Sequence, residues 1–316
     1  MDDAWPGYRE LLQQRAANRH DLNPNRYRDN LDLLRYNLRS LDHYVPWARH
    51  VFLVTCRPQV PPWLDRSAVR LVHHDEFMPP EMLPTFNSFA IVSQLHRLPG
   101  LSKRFLYVED DRLFGRPVAQ TDLFDERGRP LVYLKWRHTM TPRRRYDTRL
   151  SPWNRALACS NHLLNTRYGT KRRPTVSHAP LPIEIESWRT MIAAWPDAFA
   201  RTAASPFRDT ENVAPEHLYP HFLLEEGLGV PARALGRTAY HPLNNVALLQ
   251  RASFARLQLL QPMFICMNDN YGDTPSAKSV GIAREYLRRW LPTPSRFELR
   301  NVPDEPATST EAERVR

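Results

Sequence analysis

The sequence predicts an α/β fold with a mostly parallel sheet and helices on both of its faces. In the first half of the chain, short apolar runs typical of buried strands alternate with segments of helical periodicity. Such alternation is the pattern of βαβ units, whose crossover helices cover a parallel sheet. The chain of 316 residues is long enough for one large α/β domain, which we assign to residues 1–300. The polar tail over 301–316 is predicted to be disordered.

The predicted elements follow one another in a regular order. Leu31, Leu34, Leu38 and Leu41 recur at spacings of three and four, which predicts a helix over 29–44 with Asp29 as its N-cap. The other predicted elements, in chain order, are a helix over 8–17, strands over 50–55 and 69–72, a helix over 85–98, strands over 105–108 and 131–134, helices over 183–194 and 215–226, a strand over 263–267 and a helix over 276–290.

Three successive acids, residues 109–111, follow the strand over 105–108. Acids at the end of a buried strand are costly unless a positive charge meets them. Ligands of open α/β sheets bind at the carboxyl ends of strands, and aspartates there suit Mg²⁺ bridging to substrate phosphates. A second strand, over 263–267, ends in Asn-Asp-Asn at 268–270 and repeats the pattern. The alternative is a solvated acidic turn, and the pattern alone leaves both readings open.

Composition and charge restrict the class of protein. The formal net charge of +10 predicts anionic partners: nucleotide phosphates, polyanionic glycans, nucleic acid or a membrane surface. The 10 Gly against 29 Pro and the lack of a Walker or G-x-G-x-x-G motif argue against a glycine-rich phosphate cradle. Three widely spaced cysteines indicate a reducing compartment, for which we predict the cytoplasm. No apolar run approaches the roughly 18 residues of a membrane span, and no signal peptide is recognised.

A basic segment over 135–176 is interpreted as an insertion. Its eleven Lys and Arg residues face Asp147 as the one acid, and Trp136, Trp153 and Tyr168 are interleaved with them. Basic residues with aromatics are typical of single-stranded nucleic-acid binding. They equally fit an anionic sugar polymer or a nucleotide diphosphate, and a charge run is most often a solvated surface.

Two further patterns carry titratable or cationic side chains. His178 lies in the proline-stiffened loop S-H-A-P-L-P, and His is the usual general base at neutral pH. A structural His is the alternative. Arg35 and Arg39 are four apart and share a helix face, where they are either solvated or used to bind an anion.

Together these segments resemble the Stealth family of sugar-phosphate transferases. The family includes bacterial capsular polysaccharide phosphotransferases and the animal lysosomal-enzyme N-acetylglucosamine-1-phosphotransferase. The segments that carry the resemblance are L-R-Y-N-L-R-S (34–40), P-W-A-R-H-V-F-L-V-T (46–55), P-P-W-L (61–64), L-P-T-F-N-S (83–88), H-R-L-P-G-L-S (96–102), F-L-Y-V-E-D-D-R-L-F-G-R-P (105–117), S-H-A-P through R-T-A-A-S-P-F-R-D-T-E-N (177–212), F-I-C-M-N-D-N (264–270) and, after a helix, P-T-P-S-R-F-E-L (292–299).

The chain departs from the family pattern at two places. The family usually has Asn-Asp-Asp where this chain has Glu109-Asp110-Asp111, so Glu109 either adds a negative charge to the site or points away. The family's first region, a strand like T-W-V-D-G-S-D, is expected ahead of a segment that resembles residues 3–5. That strand and its acid are therefore expected to be absent, which leaves either a mis-assigned start or a truncated, inactive chain.

The resemblance implies a Rossmann-like, glycosyltransferase-A-like sheet and a reaction. The family moves a hexose-1-phosphate from a UDP-sugar to a hydroxyl of a sugar or growing polysaccharide, releasing UMP, in capsular or exopolysaccharide synthesis. By this resemblance Asp110, Asp111 and Asp269 would hold Mg²⁺ or Mn²⁺ against the diphosphate. His178 would remove the acceptor proton, and Arg208 would stabilise charge on the transferring phosphate.

The remaining implied roles concern substrate binding and partners. Arg35 and Arg39 would hold the diphosphate, Asn268 and Asn270 would orient ligands, and Asn87 would contact substrate. Peripheral contact with an anionic membrane is allowed by the charge, and no nucleic-acid partner is expected. The alternatives are a non-catalytic glycan-binding member of the family and a basic nucleic-acid-binding protein.

Overall fold

Helices and strands alternate along the part of the chain that the structure, a computed structural model, describes: residues 31–300. The predicted α/β class is confirmed. The eight α-helices of this part are α1 (Leu33–Tyr44), α2 (Ser88–Ser93), α3 (Pro152–Tyr168), α4 (Ile185–Ala194), α5 (Pro196–Ala203), α6 (Pro215–Glu225), α7 (Ala247–Leu260) and α8 (Ala277–Trp290). The strands are β1 (Phe52–Thr55), β2 (Arg70–His73), β3 (Arg104–Tyr107), β4 (Arg112–Phe114), β5 (Leu131–His138), β6 (Pro174–Val176), β7 (Leu181–Glu184), β8 (Val230–Arg233), β9 (Thr238–Leu243) and β10 (Phe264–Asp269).

The strands form four small sheets. Two of the sheets contain two strands each: β1 and β2 pair parallel, and β3 and β7 pair antiparallel. In the sheet β4-β10-β9, the central β10 runs antiparallel to β4 and parallel to β9. In the sheet β6-β5-β8, the central β5 runs antiparallel to β6 and parallel to β8. The described sheets are therefore mixed, and the predicted mostly parallel sheet is corrected.

The reason for this difference lies in the length of the connections. Parallel neighbours need a crossover of a dozen or more residues. Only residues 108–111 separate β3 from β4, and no helix fits between them. β4 therefore joins a different sheet and pairs antiparallel with β10. The Rossmann-like arrangement implied by the resemblance stays a prediction.

Most of the predicted elements are present with shifted ends. The helix predicted over 85–98 is shorter, because Asn87 caps α2 and a 3₁₀ turn over Leu95–Arg97 replaces its last part. The helix predicted from 183 begins at Ile185, because residues 181–184 form β7. The helix over 8–17, the N-cap at Asp29 and the tail over 301–316 lie outside the described residues.

Segment 135–176, predicted as a basic insertion, contributes to the fold. It contains the end of β5, a 3₁₀ turn over Pro142–Tyr146, helix α3 and strand β6. Ser151 caps α3 by accepting from the amide of Asn154, and Pro152 occupies its first turn. Leu164 of α3 is fully buried in the same apolar cluster as Trp188 of α4 and Phe222 of α6. Segment 135–176, which the charges alone predicted to be an insertion, therefore supplies part of the hydrophobic core.

Helix α1 lies in the centre of the described structure. Tyr36 and Leu38 are buried in apolar clusters on two sides of it, and its polar residues from Arg35 to Ser40 are buried as well. Ser40 Oγ accepts from the amide of Phe114 in β4 at 3.0 Å. The helix thus contacts β4, the strand that directly follows the three acids. None of the helices within residues 31–300 is both long and apolar enough to cross a membrane.

Candidate active site

A large open cleft lies at the carboxyl ends of β3 and β10, beside the loops that follow β6 and α5. Its volume is about 2090 Å³. The predicted site residues in its lining come from four separate segments of the chain. The predicted site residues that line it are Asp110, Asp111, His178, Arg208, Asn268, Asp269 and Asn270.

The loop that carries the acids is fixed by helix α1. Asn37 Nδ2 donates to the main-chain carbonyl of Glu109 at 2.9 Å and to that of Arg112 at 2.5 Å. Asn37 is buried, and its two hydrogen bonds supply partners for two carbonyls of the turn. Asn37 therefore determines how the acid loop, residues Glu109–Arg112, leaves the strand.

Arg112 connects the acid loop to the loop of His178. It is buried; one terminal nitrogen pairs with the Glu109 carboxylate and the other donates to the carbonyl of Ala179 at 2.7 Å. Burial raises the pKa of Glu109, but Arg112, His178 and Arg208 more than offset this effect, so its pKa lies below the ordinary value. Glu109 is therefore an anion paired with Arg112, and it adds negative charge to the site.

Asp111 is a buried carboxyl that is only half satisfied. Its Oδ2 accepts from the Cys266 thiol at 3.2 Å, whereas its Oδ1 has no hydrogen-bond partner among the described residues. Burial raises the pKa of Asp111 to about 7, and the neighbouring charges of Glu109 and Asp110 act in the same direction. A carboxyl in this state is poised to receive a cation, because a positive charge would satisfy Oδ1 and restore ionisation at neutral pH.

The second group of oxygen ligands lies on the neighbouring strand. The amide of Met267 donates to the carbonyl of Asp111 at 2.8 Å, which places β10 beside the acid loop. Asp269, at the end of β10, accepts from the amide of Tyr271 at 2.9 Å. Asn268, Asp269 and Asn270 all line the cleft at this end of β10. Within residues 31–300, no three His, Cys, Asp or Glu side chains are grouped as around a metal ion.

His178 lies in the cleft on a firmly held loop. The amide of the preceding Ser177 donates to the main chain of β5 at 2.8 Å. The imidazole packs at a tilt against the ring of Tyr240, with centroids 5.3 Å apart. Burial, reinforced by the cations Arg112 and Lys135, lowers the pKa of His178 to about 4. The ring is therefore neutral at pH 7 and able to accept a proton.

Arg208 reaches the cleft from the loop after α5. Its Nε and Nη2 donate to the Ser88 hydroxyl at 3.2 and 2.6 Å. The guanidinium lies over the rings of Phe89 and Trp153, at 4.9 and 5.5 Å from their centroids. Two aromatic faces and a hydroxyl thus hold its plane.

Asn87 joins α2 to the segment that carries Arg208, and its contact with substrate stays a prediction. It is fully buried and does not line the cleft. Its Oδ1 caps α2, while its Nδ2 donates to the carbonyl of Ser205 at 3.0 Å and to Asn212 Oδ1 at 2.8 Å. The side chain therefore joins the start of α2 to the loop of Arg208.

Arg35 and Arg39 lie outside the cleft lining, and their contact with the diphosphate stays a prediction. Both guanidiniums are buried and pair with the buried carboxylate of Glu298. Arg35 Nε lies 2.5 Å from Oε2, and Arg39 Nε and Nη2 each lie 2.8 Å from one of its oxygens. The amide of Ser295 also donates to Glu298 at 2.8 Å. We call Arg35, Arg39 and Glu298 the clamp; its contacts give both arginines a structural role.

Sequence reasoning missed Asn37, Arg112 and Glu216. Glu216 lies in the first turn of α6 and is 6% exposed, and neither carboxylate oxygen has a hydrogen-bond partner among the described residues. Burial, and next the charge of Glu109, raise its pKa to about 7. In the sequence, Glu216 follows Pro215 at a predicted helix start, and this pattern indicates where a helix begins but not a functional acid. Asn37 and Arg112 stood inside quoted motifs, but spacing alone did not reveal what they contact.

Two family models match this chain. The model described as Stealth protein CR2, conserved region 2, matches residues 26–132, and the model of Stealth protein CR3, conserved region 3, matches residues 177–225. The first includes α1 and the acid loop, and the second includes His178, Arg208 and Glu216. The matches thus cover both sides of the cleft. The resemblance noted over residues 264–270 stays a prediction.

Similar proteins are named exopolysaccharide phosphotransferases. The one named CpsY from Mycobacterium tuberculosis is 32% identical over 280 residues, which are 85% of this chain and 50% of that protein. SCO6023 from Streptomyces coelicolor is 33% identical over 272 residues, 84% of this chain and 45% of that protein. An exopolysaccharide phosphotransferase from Nocardia farcinica is 32% identical over 281 residues, which are 86% of this chain and 54% of that protein. The chain thus spans about half the length of these curated relatives.

Proposed function

This chain belongs to the Stealth protein family, and we propose that it transfers hexose-1-phosphate from a UDP-sugar to a sugar hydroxyl. UMP is the second product, and the reaction serves capsular or exopolysaccharide synthesis. The observation that carries the proposal is the meeting of His178, Arg208 and the acid loop in one cleft, from segments far apart in the chain. A cytoplasmic location stays a prediction.

The first step of the proposed reaction is removal of the acceptor proton. The acceptor oxygen attacks the β-phosphorus, the bond from that phosphorus to the bridging oxygen breaks, and UMP leaves with that oxygen. His178 takes the acceptor proton. The lowered pKa leaves the ring unprotonated but weakly basic, and the negative charge of a bound diphosphate would raise that pKa towards neutrality, where a general base is most effective. The contact of Arg112 with the carbonyl of Ala179 holds the His178 loop against the acid loop.

The second requirement is a positive environment for the phosphate. Phosphoryl transfer depends on positioning and charge neutralisation more than on covalent chemistry. Arg208 presents a held guanidinium plane to the cleft, which suits forked contact with phosphate oxygens.

A divalent cation fits the acid loop, because Oδ1 of Asp111 is buried without a hydrogen-bond partner among the described residues and a cation would provide one. Asp110, Asp111 and Asp269 would hold Mg²⁺ or Mn²⁺, with Asn268 and Asn270 as neutral oxygen donors. These three carboxylates are not grouped around one point in the described structure, so their side chains would have to move together when the ion binds. The bound ion supplies neutralisation of diphosphate charge.

Nucleotide release from a panel of UDP-hexoses tests the proposal. The chain is incubated with Mg²⁺ and a simple sugar acceptor, with and without a chelator, and UMP is separated from UDP by chromatography. We expect UMP that disappears with chelator and is not formed by the His178→Ala variant. Release of UDP would mean that the sugar C–O bond breaks, and would overturn hexose-1-phosphate transfer.

The two rival functions predict other results. A glycan-binding family member would bind oligosaccharide and release no nucleotide from any donor. A nucleic-acid-binding protein would bind single-stranded RNA with an affinity that falls steeply with salt and does not need metal. Both measurements use the same purified chain, so they can be made beside the release assay.

A further inference from the structure

Helix α7 is covered by protein on one of its faces. Phe254 and Leu257 are buried on that face, in the apolar cluster that they share with Tyr286 and Leu287 of α8. The ring of Phe254 stacks on that of Tyr286, with centroids 4.1 Å apart. Because residues three and four apart share one side of a helix, these contacts fix which side of α7 faces the core.

The opposite face of α7 is apolar and exposed. One stripe of side chains, spaced by four and three residues along the helix, consists of Leu248, Ala252, Ala255 and Leu259. Leu248 is 77% exposed and Leu259 is 83% exposed, and Leu249 and Leu260 beside the stripe are more than half exposed. A helix that is apolar on all sides is normally buried. An exposed group of leucines on such a helix therefore marks an interaction surface.

Arginines lie along both edges of this stripe. Arg251 and Arg256 are exposed, and at 3.6 residues per turn they fall on opposite sides of the line of leucines and alanines. Helix α7 contains no Asp or Glu. An apolar face between cationic edges is the pattern of a helix that lies in the surface of a membrane with anionic headgroups.

The exposed face is small for a stable contact between proteins. Helix α7 contains 14 residues, which makes it about 20 Å long and about 10 Å wide, a footprint of roughly 200 Å². Stable protein interfaces bury about 800 Å² on each partner. Pairing of two α7 helices would also bring arginines together at both edges without an acid of α7 between them. A lipid surface accepts a single convex helix and supplies the anionic groups that these arginines would meet.

We propose that the exposed face of α7 binds the surface of a membrane that contains anionic lipid. The exposed leucines of α7 enter the boundary between headgroups and acyl chains, while Arg251 and Arg256 contact lipid phosphates. The helix lies along the surface and does not cross it. This binding goes beyond the transfer reaction proposed above and does not depend on it.

The start of α7 is fixed beside the cleft. Asn245, just before the helix, donates from Nδ2 to the carbonyl of Tyr271 at 2.8 Å and accepts from the amide of Ser276 at 2.7 Å. Tyr271 directly follows residues 268–270, which line the cleft. A membrane bound by α7 therefore adjoins the rim of the cleft at the end of β10.

Vesicle flotation of the complete chain tests the proposal. The probes are vesicles of phosphatidylcholine mixed with anionic phosphatidylglycerol, and vesicles of phosphatidylcholine alone. We expect the chain to float with the anionic vesicles and to bind them at least about tenfold more tightly than the neutral vesicles. Equal affinity for the two kinds of vesicle, or no flotation with either, would overturn the proposal.

Polar substitution of the leucines locates the binding. Leu248→Gln with Leu259→Gln should lower the affinity for anionic vesicles by about tenfold or more, because two apolar side chains no longer enter the membrane. Gln has nearly the helix propensity of Leu, and unfolding curves check that the fold is retained. The control is Leu228→Gln with Leu299→Gln, two exposed leucines outside α7, for which we expect less than about a twofold change. Unchanged binding of the α7 variant would overturn the role of this face.

Charge reversal tests the edges of the stripe. Arg251→Glu with Arg256→Glu should remove most of the preference for anionic vesicles, because attraction to the headgroups becomes repulsion. Arg66→Glu with Arg97→Glu is the control: both arginines are exposed outside α7, and the net charge changes by the same amount. The control should keep most of the preference. Equal losses in the two variants would mean that net charge alone attracts the chain, and would overturn the assignment to α7.

Sedimentation without vesicles distinguishes a lipid surface from a second copy of the chain. We expect Leu248→Gln with Leu259→Gln to have the same oligomeric state as the wild type. A dimer of the wild type that this variant abolishes would overturn the membrane assignment in favour of a contact between copies. Vesicle binding and UMP release are separate assays, so the failure of one leaves the other standing.

Discussion

The clamp and the acid loop are both buried clusters of charge, and they differ in how completely their charges are paired. In the clamp, one carboxylate meets two guanidiniums and a backbone amide, and hydrogen bonds reach both of its oxygens. In the acid loop, Glu109 pairs with Arg112, but Oδ1 of Asp111 has no partner among the described residues. Glu216 interacts electrostatically with Glu109, and neither of its carboxylate oxygens has a hydrogen-bond partner among the described residues.

This difference distinguishes a structural cluster from a site. A buried polar group without a partner costs folding free energy, on the order of 1–3 kcal/mol. Such a cost persists where another requirement opposes it, which is often function. The clamp differs in this respect, since both guanidiniums donate hydrogen bonds to the Glu298 carboxylate and neither oxygen of that carboxylate lacks a partner. Pairing therefore separates the two clusters, although both contain Arg and Glu side chains and both lie in segments that carry the family resemblance.

The largest expected effect is on turnover, in the acid-loop region. His178→Ala should reduce turnover by roughly 10²–10⁴-fold, the usual contribution of a general base. UDP-sugar binding and the unfolding temperature should change little. His162→Ala, on the exposed side of α3, is the control. Near-normal turnover of His178→Ala would show that another group takes the proton.

The second effect is on stability, in the clamp. Glu298→Ala leaves two buried guanidiniums without their carboxylate and should lower the free energy of unfolding by about 3–5 kcal/mol. The control is Glu285→Ala, whose partner Arg289 is exposed, and whose expected cost is about 1 kcal/mol or less. Denaturant titrations measure both. Equal losses of unfolding free energy in Glu298→Ala and Glu285→Ala would show that the clamp is no more important for stability than an exposed ion pair.

The third effect has opposite signs for activity and stability. Asp111→Asn removes a charge that burial disfavours, so the free energy of unfolding should stay level or rise by about 1 kcal/mol. Turnover should fall, and the Mg²⁺ concentration needed for half-maximal rate should increase. Denaturant titration and a Mg²⁺ titration of turnover check the two halves. An unchanged Mg²⁺ titration would refute the metal-binding role of Asp111.

The last effect is a pH dependence of stability from the clamp, which appears only in acid and leaves stability at neutral pH unchanged. Burial raises the pKa of Glu298, but its hydrogen bonds to Arg39, Ser295 and Arg35 lower it more, to about 2. A lowered folded-state pKa stabilises the fold above the unfolded value of about 4.3, and this stabilisation is lost as the pH falls through about 2. Wild type should therefore lose stability between these values. Glu298→Gln should show a flatter dependence, and an identical slope would contradict the assignment.

The acids of the site were predictable because their signal is local. Asp110 and Asp111 directly follow a strand pattern, and Asn268 to Asn270 directly follow another; the structure brings both to the cleft. His178 was noted from its proline-stiffened loop and Arg208 entered through the resemblance, and the structure brings both to the same cleft. The parallel sheet was not predictable in the same way, since strand patterns do not state which strands pair.

The sequence by itself determined the family, the α/β class and the segments that carry the chemistry. Tertiary structure decided the roles of similar side chains. Arg35 and Arg39 pair with a carboxylate 263 and 259 residues away, so no pattern near them indicates whether they bind ligand or hold the fold. Glu216 is unpaired because of the elements that bury it. Hydrophobicity and spacing act over a few residues, whereas burial and charge pairing depend on groups that only folding brings together.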